Sequence, residues 1–141
     1  MAVGEAFLEG LGAQDFSRIA ATLDDSAHLG ALLPRGLAEW DGPENISGAF
    51  RQWFGEVDRF ELVDAVLGEV GPRLHMSWRV RVQAPARGEG WLVIEQQMYA
   101  AAGSDARLTR LSLLCSGFHE EGPRRTGESA PAGSASERSP R

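Results

Sequence analysis

Arg73-Leu74-His75-Met76-Ser77-Trp78-Arg79-Val80-Arg81-Val82-Gln83 (residues 73–83) alternates apolar and polar side chains without a break. Leu74, Met76, Trp78, Val80 and Val82 fall on one face, and Arg73, His75, Ser77, Arg79, Arg81 and Gln83 on the other. Period two over such a length is the mark of a half-buried β-strand. Working outward, residues 60–70 read as a preceding strand, joined through Gly71-Pro72. A loop at residues 85–90 leads to a third strand from Trp91 to about Ala101. Gly103-Ser104-Asp105-Ala106 then turns the chain into a last strand, residues 108–118. Connections this short predict an antiparallel meander of four strands.

Upstream of the meander the period changes. Val3, Phe7, Leu8 and Leu11 mark one face of an opening helix, with Gly12 as its stop. Asp15 is placed to cap a second short helix that turns Phe16, Ile19, Ala20 and Leu23 inward, before Asp24-Asp25-Ser26 breaks the pattern. Residues 26–40 read as two short extended pieces about a turn at Pro34-Arg35-Gly36. The clearest helix follows Asp41-Gly42-Pro43-Glu44, with Asp41 as the expected cap. Its stripe of Ile46, Phe50, Trp53, Phe54 and Val57 requires a flat apolar partner, and the sheet supplies one.

A length of 141 residues suits one domain with a real core. Residues 120–141 contain no large apolar side chain, and their four Arg and four Glu cancel, so the net charge of −6 belongs to the body. The expected division is a domain at 1–119 and a disordered tail at 120–141. The acidic balance argues against a nucleic-acid footprint. The longest apolar runs are far short of a membrane span, and the first residues lack the basic start and apolar core of a signal peptide. With one cysteine no internal disulfide can form, in keeping with a cytoplasmic location. All 14 basic residues are arginine, which removes Schiff-base lysines, phosphate-loop lysines and lysine general bases. Three scattered histidines and a lone thiol predict no metal site, and no cofactor motif is found.

The order of helix, short helix, short strands, capped helix and meander resembles the nuclear transport factor 2-like superfamily, in its SnoaL-like and ketosteroid-isomerase-like branch. The Gln14-Asp15 break, the Asp24-Asp25 corner, and Trp40-Asp41-Gly42-Pro43 leading into Ile46, Phe50 and Trp53 carry the resemblance. Asp105-Ala106-Arg107-Leu108 is similar to the family's final turn, with Ala106 where glycine is common. Alanine disfavours the left-handed conformation of a tight turn, so a longer hairpin is expected there. The resemblance covers residues 3–118. It implies an α+β cone, a curved sheet wrapped around the helices with a pocket at its open end. Members of this branch include isomerases and polyketide cyclases that use a pocket carboxylate as base, and others that only bind ligands or partners.

Glu95 is the leading candidate for such an acid, because a lone mid-strand carboxylate is costly unless paired or hydrated. Aligning the apolar faces of the second and third strands sets Arg79 opposite Glu95, with His75, Ser77, Arg81, Gln97 and Tyr99 on the same face. A cross-strand ion pair on a solvated or dimer-contacting face is the simpler account of the pair. Glu95, Arg79 and His75 form the catalytic candidates. His28, expected near the pocket rim, joins Trp40, Trp53, Trp78 and Tyr99 as candidates to hold a flat hydrophobic ligand, and core packing accounts for Trp53 and Trp78 as well. Gln96 falls on the apolar face, where a buried amide needs partners. Cys115 reads as a buried strand cysteine. Two functions follow from these residues. One is binding of a small hydrophobic molecule in the cone, extending to isomerase- or cyclase-type proton transfer if a carboxylate enters it. The other is a non-catalytic protein-interaction module. A homodimer through the sheet face is expected under either.

Overall fold

The computed structural model describes residues 2–121. Helices α1 (Ala2–Gly12) and α2 (Phe16–Ala21) are followed by β1 (Leu23–Leu33), β2 (Gly36–Asp41), α3 (Pro43–Phe54) and the strands β3 (Arg59–Val70), β4 (Arg73–Gln83), β5 (Leu92–Ala102), β6 (Leu108–Cys115) and β7 (His119–Glu120). The sheet order is β2-β1-β6-β5-β4-β3, and the short β7 adds to β5. All neighbours are antiparallel except β1 with β6. The meander expected from the alternating pattern is therefore β3 to β6. This α+β arrangement, helices first and a mostly antiparallel sheet after them, is the one the sequence implies.

The alternating face of β4 is the core. Leu74, Met76, Trp78, Val80 and Val82 are all buried, together with Leu92, Ile94, Met98 and Ala100 of β5. The helices cover that face. Phe7 of α1 meets Phe50 of α3 edge-on at 5.5 Å and Trp78 at 5.8 Å. Asp15 does cap α2, its carboxylate accepting the Arg18 N–H at 3.1 Å.

Local readings differ at several points. Leu23 opens β1 instead of extending α2, because the chain leaves the helix at Thr22, whose hydroxyl donates to the Ile19 carbonyl at 2.7 Å. Asp24, Asp25 and Ser26 lie inside β1, at an irregularity in its pairing with β6. The N-cap of α3 is Gly42, with φ of 87°, and not Asp41. The Asp41 carboxylate turns away to His28 Nδ1 at 2.7 Å. Val57 falls beyond the end of α3. The last hairpin is longer than two residues, as expected, with Ala106 at φ of 65°.

The folded chain runs past residue 119. Glu120 pairs with Leu92 in β7, and the Glu121 N–H donates to the Trp91 carbonyl at 3.0 Å. The remainder of the expected tail, residues 122–141, lies outside the described residues. No described helix is long and apolar enough to cross a membrane.

Candidate functional site

A cavity of about 570 Å³ opens at one end of the sheet, on the side the helices cover. Four pieces of chain build it. The β1–β2 turn contributes Leu33, Pro34 and Arg35, with Trp40 from β2. The last turn of α3 contributes Gln52, Trp53 and Phe54. The inner face of the sheet gives Ile94, Gln96 and Cys115. Arg87, in a single 3-10 turn at residues 85–87, and Gly117 with Phe118 complete the rim.

Packing fixes these walls. Trp40 and Trp53 meet edge-on at 5.7 Å, and Trp53 meets Phe50 at 5.1 Å. The Phe54 carbonyl accepts a hydrogen bond from Gln14 Nε2 at 2.8 Å, which ties the end of α3 to the α1–α2 corner. The segment 116–121 is stitched across the end of the sheet. The Ser116 N–H donates to the Glu95 carbonyl at 2.9 Å, and the Ser116 hydroxyl accepts the Glu95 N–H at 2.9 Å. Arg81 then clasps the Glu121 carboxylate with two hydrogen bonds, 3.1 Å from Nε and 2.9 Å from an Nη. It also bonds Glu61 at 2.6 Å and lies 4.0 Å above the Trp91 ring. Glu121 and then Glu61 hold the Arg81 guanidinium above its usual pKa.

Gln96 is the buried polar group of the site, 2% exposed. Its Oε1 accepts the Trp78 Nε1–H at 2.8 Å, and its Nε2 donates to Cys115 Sγ at 3.3 Å. The same sulfur accepts the Gly117 N–H at 3.4 Å. A glutamine amide has two N–H donors and an oxygen with two lone pairs. One donor and one lone pair of Gln96 therefore lack a partner among the described residues. No aspartate, glutamate or histidine is among the described residues that line the cavity.

The nine sequence-predicted site residues divide between the two faces of the sheet. Trp40, Trp53 and Gln96 line the cavity, and Trp78 stands behind Gln96 in the core. Glu95, Arg79, His75, Tyr99 and His28 lie on the outer face. Arg79 does oppose Glu95, with Nε donating to Oε2 at 2.6 Å, but their side chains are 51% and 54% exposed and face away from the helices. They border an outer-face depression of about 290 Å³ with Asp64, Ser77 and Gln97. His75 Nε2 lies 3.2 Å from Gln97 Oε1, and its ring stacks near Tyr99 at 4.7 Å. His28 is not at the cavity rim. It sits between Asp41 and Glu39, at the opposite end of the β1–β2 hairpin from the turn that lines the cavity. Cys115, read from the sequence only as a buried strand cysteine, lines the cavity too, and Arg35, Arg87 and Phe118 are among the other lining residues that sequence reasoning did not put forward. Their turns were legible, but which turns meet around one opening is a tertiary property.

No protein-family model matches the sequence, and no curated protein matches it. Solved structures do. A protein from Shewanella denitrificans, provisionally described as a SnoaL-like polyketide cyclase, superposes with a TM-score of 0.62 at 12% identity, covering 82% of this chain and 88% of that one. A nuclear transport factor 2-like protein of unknown function from Cytophaga hutchinsonii gives 0.55 at 15% identity, covering 82% and 86%. TerC, co-crystallised with polyporic acid, gives 0.60 at 13% identity, covering 79% and 87%. At such identities the likeness speaks to architecture. Together with the element order and sheet topology, it establishes that the chain adopts the nuclear transport factor 2-like fold in its SnoaL-like form.

Proposed function

We propose that the protein binds a small, flat hydrophobic molecule in the cavity at the open end of the cone. The carrying observation is a space of about 570 Å³ walled by Trp40, Trp53, Phe54 and Phe118 around one buried amide, Gln96. Its size is that of a small-molecule site, and aromatic and polar groups share its lining. TerC has been co-crystallised with polyporic acid, an observation about TerC that is consistent with this use of the fold. Binding is favoured over carboxylate-driven proton transfer. The outer-face position of Glu95 leaves the cavity without a carboxylate base among its described lining residues. The test is titration with the neutral fluorophore N-phenyl-1-naphthylamine. Saturable binding that is lost in Cys115→Phe or Gln52→Trp, both of which narrow the space, supports the reading. Absence of saturable binding, or binding that both folded variants leave intact, overturns it.

A second reading rests on the outer face. Leu37, Leu32 and Leu114 are cross-strand neighbours on β2, β1 and β6, and they are 66%, 51% and 51% exposed. Their row continues through Gln97 and Ser77 to Val66. We infer that a second copy of the chain covers this row, giving a homodimer. Sedimentation velocity tests it: Leu114→Glu shifts the protein to monomer if the row is the contact. An unchanged sedimentation coefficient removes the row from the interface.

A further inference from the structure

We propose that the cavity selects organic anions, with an aromatic or alicyclic body between the tryptophans and its acid group held by Arg35 and Arg87. This rests on the reading of the cavity as a small-molecule site and names the class of molecule it takes.

The argument begins from charge. The chain carries a net charge of −6, yet the only charged residues among the described lining of the cavity are two arginines. Three of the other described arginines are engaged with acids, Arg18 with Glu9, Arg79 with Glu95, and Arg81 with Glu61 and Glu121, while Arg51, Arg59, Arg73 and Arg110 are not and lie away from the cavity lining. Arg35 and Arg87 form no ion pair among the described residues. They come from two separate turns, one closing the β1–β2 hairpin and one between β4 and β5, and both border the same space. A guanidinium presents a planar fork of donors that matches a carboxylate or sulfonate. Arg87 is also held in place, its guanidinium carbon 3.9 Å from the centroid of the Phe118 ring. That stack limits the rotamer freedom that would otherwise be lost on binding. Phe118 is itself fixed by the pairing of His119 and Glu120 with β5.

The other end of the cavity completes the specification. Gln96 offers one N–H and one lone pair from a position that water scarcely reaches. A ligand with a carbonyl or hydroxyl remote from its acid group would meet that amide while its ring lies against Trp40 and Trp53. Two cations at the rim, aromatic walls and a buried amide favour an aromatic or alicyclic acid over a neutral hydrocarbon or an amine. An amine would face two like charges without an acid to offset them.

The experiment compares two probes that share a skeleton. N-phenyl-1-naphthylamine is neutral, and 8-anilinonaphthalene-1-sulfonate adds one anionic group to it. Both are titrated into the full chain by fluorescence. The sulfonate is expected to bind on the order of tenfold more tightly, since a hydrogen-bonded charge contributes that much or more. Raising the salt about tenfold should reduce this advantage. Arg35→Gln and Arg87→Gln should each weaken the sulfonate far more than the neutral probe, removing most of the difference between the two, and Arg87→Lys should restore part of that difference. Arg35 is exposed in a turn, so its variant stays informative if the Arg87 change disturbs the Phe118 stack. Equal affinities for the two probes, or a sulfonate preference that survives both substitutions, overturn the anion proposal and leave the cavity reading standing. Sulfonate binding abolished by Leu114→Ser but not by Cys115→Phe places that probe on the outer face and overturns it too. Failure of both probes to bind removes the cavity reading itself.

Discussion

The indole N–H of Trp78 donates to Gln96 Oε1 at 2.8 Å across the β4–β5 ladder, and both side chains are buried. The two residues are directly opposed, so a single register places the donor on the acceptor. Without Gln96 the indole N–H would be left in apolar surroundings, and a buried polar group without a partner is destabilising by about 1–3 kcal/mol.

Gln96→Met, which preserves volume and removes the amide, should therefore lower stability by about 1–3 kcal/mol. In the Trp78→Phe background, where no donor remains, the same change should have a smaller effect. Chemical denaturation of the four proteins in this cycle measures the coupling directly. Additive effects would show that the hydrogen bond contributes nothing separable from packing.

The Arg79–Glu95 pair gives the opposite expectation. Both side chains are about half exposed, and the 2.6 Å contact is open to solvent screening. Glu95→Gln should change stability by at most about 1 kcal/mol, with less effect in high salt. Probe binding in the cavity should be unaffected, since the carboxylate lies on the other face of the sheet. Loss of cavity binding in this variant would place Glu95 in contact with the site after all.

Much of this architecture was legible in the residues themselves. Alternation in residues 73–83 and 91–101 fixes which side chains share a face, and matching the apolar faces gives the observed opposition of Arg79 and Glu95. Gln96 was legible for the same reason, as an amide on an apolar face. Sequence alternation does not reveal which face of a curved sheet borders an opening. That depends on where the β1–β2 turn, the 3-10 turn and the segment after β6 converge. Glu95 could thus be identified as a lone mid-strand acid without its distance from the cavity being readable. Asp41 shows the limit at short range. An aspartate before Gly-Pro has the composition of a cap, but His28, thirteen residues away in sequence and opposite it in the hairpin, takes the carboxylate. Arg35 and Arg87 carry no local pattern at all, and only tertiary packing brings their turns to one rim.

Asp24 accepts the Ser26 hydroxyl at 2.6 Å and the Ser26 N–H at 2.9 Å, and these two bonds hold its carboxyl below the usual aspartate pKa of 3.8. The folded form therefore favours the ionised carboxylate more than the unfolded chain does. This contribution to stability is fully present above the unfolded value and is lost as pH falls through the depressed folded value. Ser26→Ala removes the hydroxyl bond, so the Asp24 titration should move upward toward 3.8. Carbon-detected NMR titration of the side-chain carboxyl follows it, and an unmoved midpoint would assign the shift to other groups.

Ala106 occupies φ of 65° in the last hairpin, a left-handed conformation that an L-residue with a Cβ adopts at a cost of about 1–2 kcal/mol. Glycine carries no such penalty but loses more backbone entropy on folding. Ala106→Gly should therefore raise stability by up to about 1 kcal/mol, with cavity binding unchanged because the hairpin is not among its lining residues. A lower melting temperature would mean that the alanine methyl group contributes packing that outweighs its strain.

Gly117 is where the segment after β6 presses against the β1–β2 turn. Its φ is +84°, and a Cβ built there would stand 2.6 Å from Pro34 Cγ, inside any real contact distance. Both the conformation and the space exclude a side chain, and a proline ring has little freedom to retreat. Gly117→Ala should destabilise the fold by about 1–3 kcal/mol through backbone strain and overpacking. The more telling effect is on the site, because Gly117, Pro34 and Phe118 all border the cavity. Displacing the segment moves Phe118 from beneath Arg87 and separates the Gly117 N–H from Cys115 Sγ, so probe affinity should fall further than stability alone explains. Arg81→Gln provides the control. It removes the guanidinium's bonds to the Glu121 carboxylate at the far end of the same segment without adding an atom near Pro34, and should loosen the rim with a smaller loss of stability. If Gly117→Ala binds the probes as tightly as the parent protein at a temperature where both are folded, the segment after β6 is a passive end and not a wall of the site.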